Sequence, residues 1–200
     1  QLLARYGKHP SLAGYYVNFE VCPTNFGNDP AGPARQVQQL AAFVKAHHPH
    51  LRVIQPVGLY RWQEAQQAAE FVKPEQLERF WRPFMQAAPD VDVYTVIDGV
   101  GTGLAPLAFT DANQARMRVL CDALGKECWV DVECADFGTY EPMPIGRLAA
   151  STEVAARHAQ RIVTFCYFNY MAPGNGRETS ARLYEQYRAY RLGLLLGSHL

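Results

Sequence analysis

Apolar positions along the chain follow two spacings in alternation. Short runs rich in Val, Ile, Tyr and Phe occur at 13–20 (AGYYVNFE), 51–57 (LRVIQPV), 91–98 (VDVYTVID), 127–133 (ECWVDVE) and 161–168 (RIVTFCYF). Each is short enough, and rich enough in β-branched and aromatic residues, to read as a buried strand. Between them apolar residues recur at i, i+3, i+4 and i+7: Val37, Leu40, Ala41 and Val44, then Leu77, Phe80, Trp81 and Phe84, then Met117, Leu120, Cys121 and Leu124. Each set lines one face of a helix. Pro74 suits the first turn of the second helix, Asp111 is placed to cap the third, and Gly125 to end it in a left-handed conformation. A last helix opens near Ser180 and carries Leu183, Tyr187, Tyr190 and Leu194 on one stripe.

Strands alternating with amphipathic helices specify an α/β fold with a parallel sheet. Two architectures satisfy the pattern. An open doubly wound sheet is complete with five strands, whereas a (β/α)8 TIM-type barrel needs eight, so this chain would supply strands four to eight. The opening segment, with Leu2, Leu3 and Tyr6 on what reads as the end of a helix, runs through Gly7 and Pro10 straight into a strand. It reads as cut rather than designed, and points to residues 1–200 as the C-terminal part of a single barrel domain. An open barrel edge leaves backbone groups of the first strand unpaired. The expected partner is therefore the missing N-terminal part of the same barrel.

Composition narrows the partners. The chain has 19 Lys+Arg against 19 Asp+Glu and a formal net charge of zero, which offers no basic footprint for nucleic acid. The apolar run at 192–196 is short and contains Gly193, far from the roughly 18 residues a membrane span needs. No leader of basic then apolar residues follows Gln1, so any signal peptide is expected to have been removed or to lie upstream in a longer chain. The five Cys (22, 121, 128, 134 and 166) lack zinc-like spacing and read as mostly free, buried side chains.

Polar residues sit repeatedly where apolar strands end: Glu20, Asp98 and Glu133, with Gln55 inside another strand and Asn169 just past the fifth. In parallel α/β sheets the carboxyl ends of the strands form the binding face, so these groups are expected to converge. Alternation along a strand puts Tyr16 and Asn18 on the side of Glu20, and Asp131 on the side of Glu133. Two carboxyl groups on one rim can take different protonation states and so different jobs. That is the pair glycoside hydrolysis requires. Tyr60, Trp62, Phe137, Tyr140, Tyr167 and Tyr170 lie in or beside the strand-following loops, where flat rings can stack on sugar faces. Packing of the loops themselves is the plainer reading of any single one.

Other motifs carry less. Gly99-Val-Gly-Thr-Gly103 follows a strand, but Leu104-Ala-Pro106 comes next instead of an immediate helix, which argues against a dinucleotide loop. His47, His48 and His50 fall at the opposite end from the expected site and read as a solvated helix end. No nucleophile elbow occurs. No metal and no organic cofactor is expected.

Four segments, RYGKHPSLAGYYVNFE at 5–20, IDGVGTG at 97–103, LGKECWVDVE at 124–133 and RIVTFCYFNYMAP at 161–173, together resemble the bacterial glycoside-hydrolase-like barrel family catalogued as domain of unknown function 4434. The resemblance implies a TIM-type barrel with Glu20 ending the fourth strand and Glu133 the seventh. By analogy with the large retaining glycosidase superfamily on this barrel, it implies Glu20 as acid/base and Glu133 as nucleophile. The same analogy makes Asp98, Asn169 and Tyr170 sugar-binding neighbours, and the strand-end and aromatic pattern adds Tyr16, Asn18, Gln55, Tyr60, Trp62 and Tyr167 to the expected substrate-binding set. Phe19 stands where that superfamily usually has Asn, directly before the acid/base, and Ile97 where this family's segment is expected to carry Gln. The resemblance also points to a secreted or periplasmic location. A catalytically silent barrel that binds glycan in exopolysaccharide handling remains the alternative.

Overall fold

The computed structural model describes residues 5–63, 68–103 and 105–193, with the side chains of 60–63 and 68–70 outside the description. The chain forms a five-stranded sheet ordered β1-β2-β5-β6-β9, built from Gly14–Tyr16, Arg52–Val57, Val93–Ile97, Glu127–Glu133 and Arg161–Phe165. Strands adjacent in this order are joined through helices, the α/β arrangement that the alternating spacings predict. Two small hairpins lie outside the sheet, β3 (Tyr60–Gln63) with β4 (Ala68–Phe71), and β7 (Ala135–Asp136) with β8 (Glu141–Pro142). Contacts group into two compact units, residues 1–96 with 115–129, and residues 97–114 with 130–200.

In the first unit β1, β2 and β5 pair in parallel, with Tyr16 opposite Ile54 and Gln55 opposite Tyr94. Helices α1 (Ala31–His47) and α2 (Pro74–Ala87) pack on each other. Pro74 opens α2 as expected, because its fixed φ suits a first turn whose N–H has no partner in any case. The apolar stripe of α2 is fully buried, and Trp81 lies against Phe84 at 4.6 Å and Tyr94 at 5.8 Å between ring centroids. Aromatic pairs at such spacing add roughly 0.5–1.5 kcal/mol beyond their buried area.

The first strand is shorter than its apolar pattern. It stops at Tyr16, and the chain regains the ladder only through a single bridge from Val21 to Val57. The six residues from Tyr16 to Val21 thus span only the four from Ile54 to Val57. A segment with surplus residues bulges out of the ladder. Tyr16, Asn18 and Glu20 are all exposed, while Val17 between the first two is buried.

In the second unit, helix α3 (Leu107–Ala123) contributes its first turns, and α4 (Ile145–His158) packs on α6 (Glu178–Arg191) through a core that includes Leu148, Val154, Ala155 and Leu183. Asp111 is not a cap. The helix begins four residues earlier, with Phe109 N–H and Thr110 N–H donating to the Pro106 carbonyl, and Asp111 instead accepts from His158 Nε2 at 2.6 Å. Gly125 does follow α3 with φ +66°, the left-handed conformation that glycine adopts without a Cβ penalty. The fifth strand ends at Phe165, and Tyr167–Tyr170 forms the short helix α5 instead of more strand. Asn175 Nδ2 donates to the carbonyls of Phe168 and Asn169, both at 2.9 Å, satisfying acceptors that a helix end leaves open.

Among the described residues, no helix is long and apolar enough to cross a membrane. Four of the five cysteines are buried, and Cys166 is half-buried.

Candidate active site

The second unit brings two of the expected acids together. Glu133 is the last residue of β6 and Asp98 the first past β5; they are 3% and 0% exposed. Backbone pairing sets their height, since Asp98 N–H donates to the Asp131 carbonyl at 3.1 Å. Period-two geometry places Asp131 on the same face of β6 as Glu133, and it too is buried. The Asp98 carboxylate turns toward the helices. Its Oδ2 accepts the hydroxyl of Ser151 on α4, and its Oδ1 accepts Val100 N–H at 3.1 Å and Glu133 N–H at 3.4 Å. Thr110 on α3 donates its hydroxyl to the Asp98 carbonyl at 3.1 Å.

The glycine run after β5 serves this pair. It forms a tight 3-10 turn at Val100–Thr102, and Gly101 N–H donates to Glu133 Oε2 at 2.6 Å. A backbone donor can come so close because Gly101 has no side chain. A Cβ there would lie 2.7 Å from Glu133 Oε2, 2.7 Å from the Ala135 carbonyl oxygen and 2.8 Å from Phe137 Cε2. Gly101→Ala is therefore expected to lower stability by about 1–3 kcal/mol, the usual cost of overpacking a tight site. Denaturant titration beside the unmodified protein measures it, and an unchanged midpoint would contradict the close approach. Arg147 of α4 fastens the same turn, with one Nη donating to the Val100 carbonyl at 2.8 Å and the other to Asp136 on β7 at 2.9 Å.

Burial dominates the electrostatics. Desolvation pushes Glu133 up to about 8, with the neighbouring Asp98 and then Asp131 charges adding to the rise and the Gly101 N–H opposing it. Desolvation also raises Asp98, to about 6, against the lowering pull of Ser151 and the two backbone donors. The two carboxyl groups are close enough to couple electrostatically, with Glu133 N–H itself reaching Asp98 Oδ1. At neutral pH the pair therefore holds one proton between two carboxyl groups, and that proton resides mainly on Glu133.

The remaining expected residues lie in various settings. Glu20 is exposed and belongs to the first unit, as do the exposed Tyr16 and Asn18. Gln55 is fully buried, and its amide donates to the Phe19 carbonyl at 3.0 Å. As parallel partners point the same way, it shares the face of Tyr94, whose ring packs against Trp81 and Phe84. The side chains of Tyr60 and Trp62 lie outside the described residues; their backbone belongs to β3 and not to a loop. Tyr167 and Asn169 are exposed on α5, and Tyr170 is half-buried beneath the Arg177 guanidinium at 5.6 Å. Tyr140 is exposed at the tip between β7 and β8.

Ser151 and Arg147 are neighbours of the pair that the sequence does not single out, and Gly101 lies in the glycine run weighed only as a dinucleotide loop. Ser151 had a faint signal, a small hydroxyl residue three positions beyond Leu148 that is buried on a helix face with Val154 and Ala155. Among the described residues, no three His, Cys, Asp or Glu side chains are placed to hold a metal ion.

The sheet is of the parallel α/β kind, with acids at the ends of its strands. The chain belongs to the family described as "Domain of unknown function (DUF4434)", whose model matches residues 1–177. Solved structures share the fold at low identity. A Bacteroides thetaiotaomicron protein designated a "putative alpha-L-fucosidase" matches with a TM-score of 0.81 and 21% identity, over 94% of this chain and 60% of that one. A family 18 chitinase from Crocus vernus matches with a TM-score of 0.51 and 10% identity, over 77% of this chain and 54% of its own. The chain thus spans about three fifths or less of each of these proteins. Among curated proteins, no sequence matches it.

Proposed function

We propose that this chain is the C-terminal part of a glycoside-hydrolase-like barrel, contributing its last five strands, and that the complete barrel cleaves a glycosidic bond in an oligo- or polysaccharide. The observation that carries this reading is the enclosed Asp98–Glu133 pair at the strand ends, with Glu133 gripped by the Gly101 N–H. The fold shared with a chitinase and with a protein designated a fucosidase supports it. On the retaining assignment Glu20 protonates the departing oxygen and Glu133 attacks the anomeric carbon. The exposed rings of Tyr16 and Tyr167 then offer flat faces for sugar. Secretion to the periplasm or beyond accords with a polymeric substrate.

The proton on Glu133 favours a second assignment, in which Glu133 is the acid that protonates the leaving group. The pH profile separates the two. A nucleophile must be ionised, so turnover would rise as pH approaches about 8; a proton donor must be protonated, so turnover would fall above about 8. The experiment is a screen of the full-length protein against a panel of polysaccharides, reading released reducing ends and the anomer first formed. Release of reducing ends is the expected result. Binding to a glycan with no release at any pH would replace hydrolysis by the glycan-binding alternative.

A further inference from the structure

Asp98 is completely enclosed, yet it carries a carboxyl group beside the residue proposed to react. Its surroundings favour charge. Three donors converge on it, the Ser151 hydroxyl on one oxygen and the Val100 and Glu133 N–H groups on the other. Hydrogen bonds of this kind stabilise a carboxylate over a carboxylic acid. Glu133 accepts a single described backbone bond, from Gly101, and its side chain meets that of Asp98. Two touching carboxyl groups in an enclosed site do not both ionise readily, and the one with more donors keeps the charge.

We propose that Asp98 is a positioning residue: held as the anion by Ser151 and two backbone N–H groups, it keeps the shared proton on Glu133 and thereby sets the pH at which Glu133 becomes charged. This rests on Glu133 being a reacting carboxyl group. Asp98 need not touch a sugar to act, since its charge is felt directly by the neighbouring Glu133 carboxyl group. The helix-borne Ser151 ties that influence to α4, so the protonation state of the site depends on the packing of a helix behind it.

The other ionisable groups around the pair leave this role to Asp98. Asp131, on the same face of β6, is a second negative neighbour of Glu133 but contributes less than Asp98. Cys134, just past β6, is pushed up to about 12 by burial and so is neutral across the relevant range. Cys166, just past β9, is a neighbour of Cys134. Arg147 approaches the turn from α4, but its Nη atoms are spent on the Val100 carbonyl and on Asp136.

Carbon-13 NMR titration of the full-length protein, labelled at Glu Cδ and Asp Cγ, reads the proton directly and needs no substrate. The Glu133 signal is assigned by its loss in Glu133→Gln. In the unmodified protein it should titrate near 8, and in Asp98→Asn its midpoint should fall by about one pH unit or more, because the like charge is gone. Asn keeps the shape and an acceptor for the two N–H groups, and the Ser151 hydroxyl can turn to accept from the new amide. Ser151→Ala leaves both carboxyl groups in place and carries the test should Asp98→Asn fail to fold; there the Asp98 midpoint should rise. Glu133 titrating at the same pH in Asp98→Asn as in the unmodified protein overturns the proposal, as do unchanged midpoints at both carboxyl groups in Ser151→Ala. Turnover separates this failure from that of the glycosidase reading. If the NMR midpoint and the pH limb of glycan turnover move together, both stand. If the midpoint moves and the limb does not, Asp98 controls the proton but Glu133 is not the reacting group.

Discussion

Glu133→Gln is expected to reduce glycan turnover at least about 1,000-fold, whether the side chain attacks carbon or donates a proton. An amide can do neither. The same substitution should leave the fold intact at pH 7, because the wild-type side chain is mainly protonated there and an amide matches an acid group in size and neutrality. The Gly101 N–H keeps an acceptor in the amide oxygen. Reducing-end release measures the first effect and circular dichroism on heating the second. Turnover within tenfold of the unmodified protein would remove Glu133 from the chemistry, and loss of folded signal would recast it as a structural group.

The second large effect concerns stability against pH. Both Glu133 and Asp98 have raised values in the folded chain, the reverse of the usual paired carboxylate. Between the ordinary carboxyl range and about 8 the folded chain therefore binds more protons than the unfolded one, and stability falls as pH rises. Their contribution is fully present at pH 4 and below and is lost as pH passes about 6 for Asp98 and about 8 for Glu133. The loss is at most roughly 8 kcal/mol in all, since each unit of displacement is worth about 1.4 kcal/mol per group. Urea midpoints measured from pH 5 to pH 9 should decline and then level, and Glu133→Gln should flatten most of the slope. A midpoint that climbs steadily over this interval would mean that the pair is ionised in the folded chain.

Much of this architecture is written in hydrophobic spacing. The strand at Glu127–Glu133 falls where its run of β-branched and apolar residues predicts, and the stripe of Leu77, Phe80, Trp81 and Phe84 is the buried face of α2. Errors gather where spacing stops being informative. The six-residue stretch FCYFNY at 165–170 suits a strand or a turn of helix equally, and only the backbone bonds, Tyr170 N–H to the Cys166 carbonyl and Met171 N–H to the Tyr167 carbonyl, show which it is. The surplus residues before Val21 are invisible without the partner strand that reveals them. At the site, the acids were legible because charge at the end of an apolar run is unusual. Ser151 and Arg147 were not, as they lie more than a dozen residues beyond Glu133 and gain meaning only when a helix carries them back.

The two bonds of Arg147 bear on how this region can be rebuilt. One guanidinium clasps the turn that offers its N–H to Glu133 and also the hairpin that follows β6. Transplanting either loop alone into another scaffold would leave half of that clasp behind and the Glu133 carboxyl loosely aimed. The exchangeable cassette is the turn, the strand end, the hairpin and α4 together, and sequence novelty is best introduced at the exposed hairpin tip around Tyr140, where the clasp does not reach.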